Sequence, residues 1–282
     1  MIGRRAVIGP SLLSALLVCA FAAQSAPAIV TTHSLNTTMV TCQKIGAGNE
    51  FGDAHCDNKV SGEYAHVAVE KGKTTKISAT NANLTGGTKD TEPAIFKFTI
   101  GLAKATIECL KVESNAATSS LTNTEPAAGQ HTFSGTVEIA ISECNVKELK
   151  KCIVAEPIGW DANVTGVEGM EGPKGEKNAM GIQFVGAGAE ESFGTIEFTN
   201  KGAEACSLNG KSFPVKGKMV ATGGPTTESA QENKGPGATL VFTPKLKMQT
   251  LLFFGPNAAT FETIITPTNS TSKTPISMTT ST

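Results

Sequence analysis

Few residues in this chain stand at a spacing that acid–base, nucleophilic or metal chemistry would use. The four histidines are His33, His55, His66 and His131. None stands in a catalytic signature, and no Gly-x-Ser-x-Gly nucleophile elbow occurs. Glu168 with Glu171, and Glu190 with Glu191, are the carboxylate pairs a glycoside hydrolase would need. That chemistry depends on two carboxyl groups set across the scissile bond at a defined separation, and these pairs read instead as solvated surface glutamates. Cys42, His55, Cys56 and His66 carry zinc-ligand chemistry, but pairing of the two thiols as a disulfide competes with it. Asp53 and Asp57 lack the regular oxygen spacing of a calcium loop. Gly210-Lys211-Ser212 ends like a phosphate-binding loop. Ala205 stands where that motif requires a glycine, so the segment reads as a β-turn. The expectation is no catalytic site, no cofactor site and no metal site.

The cysteines carry a different message. The chain has 282 residues and seven cysteines. Residues 1–28 read as a secretory signal peptide: Arg4 and Arg5 precede an apolar run, and Ala26-Pro27-Ala28 supplies a small-residue cleavage site. Cys19 leaves with it. The six that remain are Cys42, Cys56, Cys109, Cys144, Cys152 and Cys206. An even number in an exported chain reads as three disulfides. Cys42 and Cys56 stand apart from the other four, and Cys144 and Cys152 enclose a short loop. The expected connectivity is 42–56, 144–152 and 109–206.

Charge narrows the partners. Arg4 and Arg5 are the only arginines, and the formal net charge is −1. Arginine supplies the bidentate fork that reads phosphate and guanine, so a nucleic-acid partner is not expected. After residue 28 no apolar run approaches the ~20 residues of a membrane span. The expected location is extracellular or cell-envelope associated.

The elements that must hold these cysteines are strands. Val137, Ile139 and Ile141 alternate with Glu138, Ala140 and Ser142, a period of two that lines one face of a β-strand. Ala103, Ala105, Ile107 and Cys109 alternate likewise, as do Ile196 with Phe198, and Phe213 with Val215. Short strands with frequent turn signals predict an all-β protein, an antiparallel sandwich or barrel-like set of sheets with long loops. Lys147–Lys151 is expected to make a helical turn, and residues 114–131 an irregular or edge hairpin. Trp160 is expected in the core. Gly166, Gly169, Gly172 and Gly175 mark Gly-x-y triplets, too few for a collagen helix and read as a surface loop. Asn36, Asn83, Asn163 and Asn269 begin Asn-x-Thr sequons and mark surface. The expected organisation is a 29–100 N-terminal β region, a 101–266 main β domain and a 267–282 Thr/Ser/Pro-rich tail without order.

The paired-cysteine loop is followed by Cys206, Gly210, Phe213, Pro214, Val215 and Gly217. This arrangement resembles a broad group of exported, β-rich proteins of soil actinobacteria that has no established activity. The resemblance implies export and β architecture and brings no chemistry with it. The expected function is a structural or binding module of the cell surface, with a cell-wall or extracellular polymer as partner and no catalysis. The rival is an exported hydrolase acting on polysaccharide or peptide.

Overall fold

The computed structural model describes residues 37–54, 56, 60–81, 92–100, 103–128, 130–170, 179–223, 240–242, 250–253 and 257–280. The signal segment, His33, Asn36, His55, Asp57, Asn83, Glu171, Gly172 and Gly175 lie outside them. The strands are β1 (Thr37–Asn49), β2 (Gly62–Ala68), β3 (Thr74–Asn81), β4 (Ala94–Ile100), β5 (Ala103–Ser114), β6 (Ser120–Ala127), β7 (Gln130–Val146) and β8 (Cys152–Val154). They continue with β9 (Ile158–Met170), β10 (Ala179–Gly186), β11 (Ser192–Asn200), β12 (Lys211–Gly223), β13 (Leu240–Phe242), β14 (Thr250–Phe253), β15 (Ala258–Asn269) and β16 (Ile276–Thr280). The fold is all-β, and the strands pair antiparallel in a sandwich-like arrangement.

The alternating residues decide how the strands stack. Along β9, Ile158, Trp160, Ala162 and Val164 are buried while Gly159, Asp161 and Asn163 are exposed. One face must leave water, and it does so against the equivalent faces of other strands. Hydrogen-bonded neighbours run β9–β10–β12–β14–β15–β4–β5–β7 and return to β9. The circuit therefore has no free edge along this path, which removes the hazard of unpaired strand edges. Its interior is filled with aromatic side chains. The Trp160 ring lies 4.8 Å from Phe261, 5.6 Å from Phe193 and 5.9 Å from Phe96. Phe184, Phe242, Phe198 and Phe213 extend the cluster.

Two long strands change partner along their length. β7 pairs with β6 through Thr132–Thr136 and with β5 through Ile139–Val146. β15 pairs with β4 through Ala259–Glu262 and with β3 through Ile265–Asn269. β3 and β6 thereby widen one end of the sandwich. Residues 114–131, expected as an irregular or edge hairpin, supply β6, which lies between β3 and β7.

A second sheet, β16–β1–β2, covers part of this wider end. Met39, Ile276 and Met278 belong to the same buried cluster as the sandwich interior. Asn123 of β6 ties the layers together. Its Oδ1 accepts from the Met39 N–H at 2.8 Å, and its Nδ2 donates to the carbonyls of Met39 at 3.1 Å and Val69 at 2.7 Å.

β16 overturns the expectation that 267–282 is a tail without order. Ile276 to Thr280 pair with β1, and Met278 is fully buried. The segment is too short to show a period, and its Thr/Ser surroundings disguise two core side chains. β4 and β5 pair antiparallel across the boundary expected at residue 100.

Candidate functional site

The three disulfides follow the strand geometry. Cys42 pairs with Cys56, as expected. The other two bonds are Cys109–Cys144 and Cys152–Cys206, not 144–152 and 109–206. The reason is register. Cys109 and Cys144 are directly opposite on β5 and β7, with Cα atoms 3.9 Å apart. Cys152 opens β8, opposite Asn200 of β11, and the chain leaving β11 brings back Cys206. Between Cys144 and Cys152 the strand continues to Val146, and Lys147–Lys151 forms bends and a turn without the expected helical turn.

β7 is irregular just before Cys144, where positions 110 and 143 are missing from the β5–β7 register. The buried positions switch parity between Ile141 and Val146, and on β5 between Cys109 and Val112. Glu143 sits at the switch with φ 59°, a left-handed conformation that is costly for a non-glycine residue. The Glu156 carboxylate holds it there, accepting from the N–H of Glu143 at 2.7 Å and of Cys144 at 2.6 Å.

The residues expected to have no catalytic role fall as follows. His66 lies opposite Cys42 in the β1–β2 pairing, and its ring is 4.6 Å from that of Phe51. Cys42, Phe51 and Cys56 form a small buried cluster with Tyr64 packed on it. The two thiols that zinc would need are consumed by the disulfide. Asp53 lies in the same loop, and its carbonyl accepts from the Cys56 N–H at 3.2 Å. Among the described residues, no group of three His, Cys, Asp or Glu side chains is gathered to hold a metal.

Glu190 and Glu191 both adopt positive φ in the turn between β10 and β11. Each carboxylate is engaged by a lysine of β12. Glu190 pairs with Lys216, and Glu191 lies 3.0 Å from Lys218. The hydrogen bond and charge of Lys216 hold the Glu190 carboxyl below the usual carboxylate range. Gly210-Lys211-Ser212 turns β11 into β12, with Gly210 at φ 69° and its N–H bonded to the Phe198 carbonyl at 2.8 Å. That donor is spent on the sheet and is lost to any phosphate. Gly166, read as part of a surface loop, is buried inside β9. A Cβ there would lie 2.4 Å from Thr37 Oγ1 and 2.5 Å from the Phe133 ring. Trp160 is in the core, as expected, at 1% exposure.

Two surface features among the described residues bear on binding. The first is a shallow groove of about 300 Å³ whose polar lining is Lys97, Thr99, Lys104, Thr106, Glu148 and Thr260. Its one carboxylate is occupied: Glu148 accepts from the Thr106 N–H at 2.5 Å and from Thr106 Oγ1 at 3.0 Å.

The second is the outward face of β3, β6, β7, β9 and β10. Register places Thr74, Thr122, Ser134, Thr165 and Gln183 in one row across these five strands. Two residues along each strand, Lys76, Ser120, Thr136, Asn163 and Val185 form a second row, which reaches Lys218 on β12. All are partly or fully exposed. Thr74 Oγ1 and Thr122 Oγ1 are hydrogen-bonded at 2.9 Å. β6 and β7 approach closely between the rows, because Gly135 lacks a Cβ that would stand 1.9 Å from the Ser120 carbonyl. These rows are not legible in the sequence. Only register aligns residues from five separate stretches.

Comparison with known protein families, with characterised proteins and with solved structures finds no match for this chain.

Proposed function

We propose that this chain is an exported structural or binding module of the cell surface and that it does not catalyse. The observation carrying this reading is the double row of mostly hydroxyl and amide side chains, with Lys76 and Val185 in the second row, on the outward face of β3, β6, β7, β9 and β10. Such a face offers many donors and acceptors to a hydroxylated partner. Three disulfides suit a chain that works in an oxidising compartment. The partner class is an extracellular or cell-wall polymer, for which a repeating surface is the matching geometry.

The test is a turnover screen of the oxidised protein against polysaccharides, peptides and esters, run beside co-sedimentation with isolated cell-wall material. Co-sedimentation without turnover supports the reading. Turnover that disappears when a single glutamate is changed to glutamine, with the fold intact, overturns it.

A further inference from the structure

The geometry points to an uncharged polysaccharide as the ligand of the outward face, lying across the strands along the two rows. This deepens the module reading and rests on it. Adjacent strands are about 4.8 Å apart and alternate residues of a strand about 6.7 Å apart. The first row therefore presents five polar side chains over about 19 Å, from Thr74 to Gln183. One polar group per strand spacing is close to the rise of one sugar in an extended glycan. A glycan crossing the strands meets a new partner at nearly every residue.

The chemistry of the rows selects hydroxyl groups. Threonine, serine, asparagine and glutamine each donate and accept, as does a sugar hydroxyl. Threonine is stiff about χ1 in a strand, so ordering these side chains on binding costs little.

Charge argues against polyions. The first row is neutral, and the second carries a lysine at each end and the apolar Val185. Lys76 and Lys218 terminate the second row, and Glu138 with Asp161 forms the next position along β7 and β9. Three of these four charges already have partners. Lys76 Nζ donates to the Ala117 carbonyl at 2.7 Å, Lys218 lies 3.0 Å from Glu191, and Glu138 accepts from Thr118 Oγ1 at 2.6 Å. A polyanion would meet the carboxylates and a polycation the lysines. The described residues of the face include no Trp or Tyr on which a sugar ring could stack. Affinity per sugar is therefore low, and retention grows with repetition along a polymer.

The experiment uses the full oxidised protein in co-sedimentation with particulate cellulose and an insoluble β-1,3-glucan as uncharged probes. Immobilised polygalacturonate and chitosan serve as anionic and cationic probes. Expected is retention on an uncharged glucan at least ten times that on either charged polymer, insensitive to salt. The double variant Thr136→Glu/Thr165→Glu should lose that retention at least tenfold. Thr136→Ala/Thr165→Ala, which keeps the sheet but removes two hydroxyls, should lose it severalfold. Thr260→Glu, in the separate groove, should retain wild-type binding. Preference for a charged polymer, or equal binding by the double variants with unchanged melting temperature, overturns this assignment. Loss confined to Thr260→Glu would move the site to the groove and also overturn it. None of these outcomes touches the non-catalytic module reading, which falls only to turnover.

Discussion

Replacing Asn123 tests whether the second sheet is locked to the sandwich by one buried amide. Asn123 is 6% exposed and serves three backbone groups, the N–H and carbonyl of Met39 and the carbonyl of Val69. Each hydrogen bond contributes about 1 kcal/mol net, and a buried group left unpaired costs about 1–3 kcal/mol. The two Asn123 contacts to carbonyls are not equivalent, since Met39 O also accepts from Val69 N at 3.1 Å. Asn123→Ala should then lose roughly 2–4 kcal/mol, because Met39 N–H and Val69 O lose their partner. Asn123→Asp is the sharper perturbation. Its carboxylate keeps the acceptor facing Met39 N–H but turns a second acceptor toward two carbonyl oxygens. It should be less stable than Asn123→Ala at neutral pH, and should recover as the pH falls and the carboxyl gains a proton that it can donate. The assay is urea denaturation with disulfides intact, with amide exchange at Met39 as the local readout. An Asn123→Ala loss below about 0.5 kcal/mol, the range of ordinary surface changes, would refute the reasoning. So would an Asn123→Asp protein as stable as the wild type at pH 7.

Peptide mapping without reduction should recover Cys109 linked to Cys144 and Cys152 linked to Cys206, and a 144–152 peptide would contradict the register of β5 and β7. Deleting residues 271–282 should lower the melting temperature by roughly 10 °C. Ile276 and Met278 each contribute about 1.5–3 kcal/mol of burial, and a chain of this size shifts about 2–4 °C per kcal/mol; an unchanged melting temperature would show that β16 does not pack. Glu156→Ala should cost about 1–2 kcal/mol in denaturant titrations, since the bonds it loses are exposed. Adding Glu143→Gly should restore part of that, because glycine takes the positive φ without penalty.

Period-two alternation identified the strands that carry Val137–Ile141, Ala103–Cys109, Ile196–Phe198 and Phe213–Val215, and with them the all-β class. A strand that buries one face must alternate, so this information is local. The Cys42–Cys56 bond was also legible, since no other cysteine lies near that pair in the sequence. The other two bonds were not. Which thiol meets which depends on the register of β5 against β7 and of β8 against β11, and proximity along the chain misdirects. β16 was hidden because five residues cannot display a period, and what buries Ile276 and Met278 is a sheet built on β1, more than two hundred residues earlier. The hydroxyl rows belong to the same class. Thr74, Thr122, Ser134, Thr165 and Gln183 are unremarkable in their own segments. They become one surface only when four strand registers align them, and register is a property of paired strands that no single stretch contains.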